Sequence, residues 1–237
     1  MPFTLAHPAA ILPLRRFCPR FCNFPALVFG SIAPDAGYCF GSPHMDDFSH
    51  SLVGSIEFCL PVGAIMLGFF YGLRLLVVEK LPDHWRKILE PFCRRPIGSP
   101  LIAVASLLVG IWIHLLLDSF THKNGWLVEN FVFLQTSVFS VGDHDFKIFN
   151  LLWYLLSFAG ITWLYFAWEL WENASAEIRR PLNRWKSLGT AAFVGFLMLP
   201  VGLAHHLVHG PWGLCLTAIL SGAILIGLAL KIGNKQS

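Results

Sequence analysis

The chain has 237 residues, 55% of them hydrophobic and only 13% charged, with a mean hydropathy of +0.61. Soluble domains carry about 25% charged residues, so this composition describes a single integral-membrane domain, 1–237, and excludes an ordinary soluble enzyme. The net charge of +3 is too small to suggest a nucleic-acid partner, and the six scattered cysteines form no C-x-x-C pair of the zinc-ribbon or thioredoxin kind.

The first 50 residues form an N-terminal interfacial region. They open on Met1-Pro2-Phe3-Thr4-Leu5-Ala6-His7-Pro8, which has no basic stretch before its apolar run and so is not an ordinary signal peptide. A second apolar piece runs from about Pro25 to Ile32 and leads into Ala33-Pro34-Asp35. Both pieces are too short to cross about 30 Å of hydrocarbon, so they are expected to be interfacial or re-entrant helices.

Residues 51–237 are expected to form a transmembrane bundle. Membrane-length apolar segments fall at about 51–79, 100–119, 148–171, 188–208 and 212–231. The fold class is therefore all-α, a polytopic bundle of about five spanning helices. In the first segment His50, Gly54, Glu57 and Pro61 share a helical face that should look inward, and Pro61 should kink the helix. The loops are charged unequally. Lys80, Arg86, Lys87, Arg94 and Arg95 fall in 80–99, and Arg179, Arg180, Arg184 and Lys186 in 172–187. Between them, 120–147 has only Lys123 and Lys147 beside Glu129, Asp143 and Asp145. The positive-inside rule puts 80–99, 172–187 and the C-terminus in the cytoplasm. His50, His114 to His122 and His205 to His209 then lie toward the outer side, although Arg15, Arg16 and Arg20 run against that orientation.

One stretch carries specific chemistry: Ile113-His114-Leu115-Leu116-Leu117-Asp118-Ser119-Phe120-Thr121-His122. His114 and Asp118 are four residues apart, one above the other on a helix face, with His122 a further turn along. Polar groups at the edge of a spanning segment are expensive unless paired or bound to something. The plain alternative is a helix-end His and Asp that bond each other and water. Further candidates are His7, Asp35 and His50, each of which can also be read as a cap or turn residue. His205, His206 and His209 are weaker candidates. In the topology above, His50 starts one spanning helix on the side where the His114 helix ends. His7 and Asp35 lie on elements too short to cross and can reach the same mouth. Imidazole and carboxylate without thiolate suit Zn²⁺, with Mn²⁺ or Fe²⁺ as alternatives. No G-x-S-x-G, P-loop or G-x-G-x-x-G competes.

The opening Met1 to Ala10 with Leu14-Arg15-Arg16, Gly30-Ser31-Ile32-Ala33-Pro34-Asp35, Ser49-His50-Ser51 and His114 to His122 together resemble the bacterial membrane family called domain of unknown function 4184. That family is in turn similar to predicted membrane-bound metal-dependent hydrolases, which share an N-terminal His, a Pro-Asp, a later His and an H-x-x-x-D. The resemblance implies a metal set of His7, Asp35, His50, His114 and Asp118, in a multi-pass protein of the bacterial inner membrane. The expected function is hydrolysis of a phosphoester, lipid-linked or not, at the outer face. Asp118 and His122 would carry the chemistry, and the lipid bilayer would be the partner. A non-enzymatic metal-binding membrane protein (carrier, sensor or scaffold) is the competing expectation.

Overall fold

In the computed structural model, residues 4–17, 21–141 and 144–175 are described, with a few positions between 185 and 196. The expected segments at 188–208 and 212–231, and with them His205, His206 and His209, lie wholly or mostly outside the described residues. What is described is a helical membrane protein. Three helical stretches are long and apolar enough to cross a bilayer: Leu52–Glu79, Pro100–Asn130 and Ile148–Ala174.

The N-terminal helices are short, as expected. Helix α1 (Pro8–Phe17) and helix α2 (Phe24–Ile32) each span ten residues or fewer. Asn23 caps α2, its side-chain oxygen accepting from the Ala26 N–H at 2.9 Å. A 3-10 turn, Pro34–Phe40, follows, and Gly41 ends it in the left-handed region (φ 61°). Helix α3 (Pro43–Ser49) leads to His50.

The first span is helix α4 (Leu52–Gly54), a π turn (Ser55–Cys59) and helix α5 (Leu60–Glu79) in continuous succession. Pro61 explains the π turn. It has no N–H to give the Glu57 carbonyl, and its ring crowds that turn. The chain widens just upstream, and the Leu60 N–H bonds back to Ser55 O. This corrects the expected inward face. The extra residue rotates the register, so the buried row is Gly54, Ser55, Cys59, Gly63 and Leu67, while Glu57 and Pro61 are exposed.

Helix α6 (Asp83–Cys93) occupies the charged 80–99 region. Helix α7 (Pro100–Thr121) is the second span, joined by a short turn to helix α8 (Trp126–Asn130). A two-stranded antiparallel hairpin, β1 (Ser137–Val141) and β2 (His144–Lys147), then precedes the third span, helix α9 (Ile148–Ser175). The hairpin is an addition to the expected outer loop. Its sequence signal is the Gly142-Asp143 pair following the strand-favouring Val138-Phe139-Ser140-Val141.

Helix α2 packs against α7 and α5. It runs in the same direction as α7, because contacts near its two ends share an offset of 83 positions: the Asn23 N–H donates to Ser106 Oγ, and Ser31 O faces His114. Lipid offers no hydrophobic drive for helices to associate, so close backbone approach through small residues has to supply the attraction. Gly30 and Gly110 make that approach. A Cβ on Gly30 would overlap the Leu107 carbonyl, and one on Gly110 would overlap the Leu27 carbonyl and lie 2.9 Å from Ser31 N. Ala26, Leu67, Ala103 and Leu107 close one end of this contact, and Ala33, Cys59 and Ile111 the other. Helix α2 therefore lies along the middle of a span. Ile65, Phe69, Leu73 and Leu76 on α5 point outward.

Candidate metal centre

His114 and Asp118 sit in the last turns of α7, buried on the face that α2 covers. The close approach at Gly110 puts Ser31 O 2.8 Å from His114 Nδ1. The ring donates its Nδ1–H to that carbonyl, which turns Nε2 toward the cluster. Asp35 enters from the 3-10 turn beyond α2, where Pro34 starts the turn with its fixed φ. His50 follows α3 and repeats the device. Its Nδ1 lies 2.8 Å from Asp46 O and 3.0 Å from Ser49 Oγ, so its Nε2 also faces inward.

Four side chains converge. His114 Nε2 is 3.3 Å from Asp35 Oδ1, 3.2 Å from Asp118 Oδ2 and 3.4 Å from His50 Nε2. His50 Nε2 is 3.6 Å from Asp35 Oδ1 and 3.3 Å from Asp118 Oδ2. One ligand atom from each of the four lies within 4.8 Å of every other. Yet both oxygens of Asp35 and Oδ2 of Asp118 are buried without a hydrogen bond. The rings approach these oxygens closely but do not point N–H bonds at them. Buried polar atoms are rarely left in that state. With one donor atom from each residue gathered this closely, the group can hold a metal ion.

Asp118 is divided between two tasks. Its Oδ2 belongs to the cluster, while its Oδ1 accepts a hydrogen bond from His7 Nε2 at 3.2 Å. His7 lies wholly buried just before α1, stacked on the His114 ring with centroids 3.9 Å apart. Its Nδ1 is also 3.3 Å from Thr4 O, but the carboxylate is the stronger acceptor for a single ring proton. Helix α9 holds this segment in place. A Cβ on Gly160 would come within 2.8 Å of the Ala6 Cβ. Thus four of the five predicted metal residues form the group, and His7 stands beside it, hydrogen-bonded to one of its members.

His122 caps the C-terminus of α7. Its Nδ1 lies 3.3 Å from Asp118 O and 3.8 Å from Asp118 Oδ1, and its ring is 6.5 Å from that of His50. His50 and His122 are the partly exposed members, so they mark the open side. His44 and Asp47 are exposed on α3, and Asp46 contributes its backbone carbonyl. Asp145 instead accepts a hydrogen bond from Ser140 Oγ in the hairpin.

The electrostatics follow from burial and neighbours. Burial, reinforced by His114, lowers the His7 pKa and keeps that ring neutral. Burial pushes the Asp35 carboxyl up, but His114 and His50 outweigh it and hold it below the usual carboxylate range. His50 is opposed by burial too, yet Asp118 and Asp35 raise it to about 9. Sequence reasoning missed two contributors. Ser31 acts through its carbonyl, which no side-chain pattern records. Tyr38 places its ring 5.2 Å from His50, and burial with the nearby carboxylates keeps its hydroxyl protonated.

Residues 1–231 match the family model described as Domain of unknown function (DUF4184). The chain belongs to this family. The matched span includes every residue of the cluster, together with His7 and His122. No curated protein and no solved structure matches the chain.

Proposed function

We propose that this protein is a membrane-bound metal-dependent hydrolase of phosphoesters, with Asp35, His50, His114 and Asp118 as a zinc-binding set. One observation carries the reading. Five of the distances among these four donor atoms fall between 3.2 and 3.6 Å, with the carboxylate oxygens lacking hydrogen bonds. Ligands at about 2.0–2.1 Å from one ion stand about 3 Å or slightly more apart, and a catalytic ion would take water as a further ligand on the side that His50 and His122 leave open. Two imidazoles, two carboxylates and no thiolate also suit Mn²⁺ or Fe²⁺.

A divalent cation held here supplies Lewis-acid activation of water and charge for a developing oxyanion. The chain does the rest. Ser31 and Asp46 carbonyls fix the two rings with Nε2 inward. His7 holds Asp118 so that Oδ2 stays turned to the cluster. His122, partly exposed beside Asp118, is the group placed to move a proton to the leaving oxygen. The resemblance to predicted membrane-bound hydrolases supports the same reaction class. The loop charges favour this mouth on the outer side, and the resemblance implies the bacterial inner membrane.

The test is metal analysis of purified full-length protein with a phosphomonoester and phosphodiester panel. Divalent metal at stoichiometric level, and hydrolysis that falls roughly 100-fold or more in His122→Ala with metal retained, are expected. Metal uptake with no turnover of any ester would point to a carrier, sensor or scaffold. Folded protein that takes up no divalent metal would end the reading.

A further inference from the structure

A cleft of about 270 Å³ opens near the cluster, and His122, which lines it, carries its Nδ1 3.8 Å from Oδ1 of Asp118. It lies where α7 ends and α9 begins, so it sits at the end of two spans. Its polar lining includes His122, Lys123 and Asn150, and its aromatic wall, Phe149, Trp153 and Tyr154, stands on α9 together with Asn150. Among the described residues no carboxylate lines it, so the exposed Lys123 ammonium gives the cleft a positive bias. Asn150 spends its Oδ1 on the Lys147 N–H (3.0 Å), which leaves its amide N–H groups as donors. The aromatic wall is firmly seated. Phe149 is buried with Val128 and Leu134, and Trp153 meets Tyr154 edge-on at 4.7 Å.

We propose that this cleft is the substrate subsite of the metal centre and takes the phosphate ester of a hydrophobic alcohol. This rests on the hydrolase reading. The phosphate lies against His122, Lys123 and Asn150, with its ester bond toward Asp118, and the first carbons of the alcohol lie along Phe149, Trp153 and Tyr154. Small-molecule pockets run about 300–1,000 Å³, so this cleft accommodates a headgroup and a few carbons. The remainder of a long chain passes into the bilayer, which the position at the ends of two spans allows. A polar alcohol such as glycerol would leave the aromatic wall without a partner.

The test is binding of hexyl phosphate, glycerol phosphate and inorganic phosphate to zinc-loaded full-length protein in detergent, by calorimetry, with zinc content measured on the same samples. Hexyl phosphate is expected to bind about tenfold or more tighter than either of the others. Lys123→Ala should weaken all three by about fivefold. Tyr154→Ala should reduce the preference for the hexyl ester and leave inorganic phosphate unchanged. Lys123 is exposed and its variant keeps the core intact, so the charge arm stands even if Tyr154→Ala folds poorly. Zinc-loaded protein that binds the three ligands equally, or that is indifferent to Lys123→Ala, overturns the subsite. Protein that takes no zinc yet prefers hexyl phosphate through Lys123 overturns the metal reading and keeps the cleft.

Discussion

His7 Nε2 lies 3.2 Å from Asp118 Oδ1 in hydrogen-bond geometry, while Asp118 Oδ2, facing His50 and His114 at similar distances, has no hydrogen bond at all. One carboxylate thus has one oxygen satisfied by the protein and one held out for something else. His7→Ala removes the support and leaves the four donors. Losing such an outer partner typically costs about 10–100-fold in metal affinity. Asp118→Asn, which alters a donor itself, should cost more. Competition with a chelating dye would rank the two, and equal losses would make His7 a direct ligand.

Metal should stabilise the fold. Bound only to the native state at a hundredfold excess over Kd, it adds about 2.7 kcal/mol. Thermal unfolding should therefore shift upward with added zinc and downward with chelator. His114→Ala and Asp118→Asn should show no zinc-dependent shift.

The pH dependence has a definite sign. The His50 pKa rises from 6.5 to about 9 in the metal-free fold. The stability this adds is fully present below pH 6.5 and disappears as pH climbs through about 9. Unfolding temperature in chelator should fall across that window, and His50→Gln should flatten the fall. Metal affinity should move the other way, because the His50 proton competes with the cation. Calorimetry in buffers of different ionisation enthalpy should show proton release on metal uptake near neutral pH. Proton uptake would contradict the assignment.

Gly110→Ala should damage the site without touching it. The new methyl group would overlap the Leu27 carbonyl and press on Ser31 N, displacing the carbonyl that orients His114. A loss of about 1–3 kcal/mol is expected, together with weaker metal binding. Gly72→Ala is the matched control. Nothing lies within 4 Å of its added Cβ, and alanine suits a helix interior, so it should be neutral or slightly stabilising. If both variants lower metal affinity alike, the α2–α7 contact is not what orients His114.

Composition and local spacing were enough to read the environment and the chemical vocabulary. Its charge content required a membrane, and the three described spans fall close to the apolar runs. The four-residue interval from His114 to Asp118 was enough to stack them, because helix geometry is local. The shortness of the two apolar pieces within 1–50 likewise told that neither could cross. Periodicity broke down where a backbone defect intervened. Glu57 and Pro61 were assigned inward on an ideal helix, and the π turn that Pro61 provokes rotated them out.

Which polar groups meet follows from the packing of the helices. Asp35 and His50 are each more than sixty residues from His114 in sequence, yet their donor atoms lie 3.3 and 3.4 Å from its Nε2. That convergence depends on α2 lying along α7, which depends in turn on two glycines that let backbones touch. No residue pattern states such a packing in advance. A close approach is a property of two surfaces together, whereas spacing along one helix is a property of the chain alone.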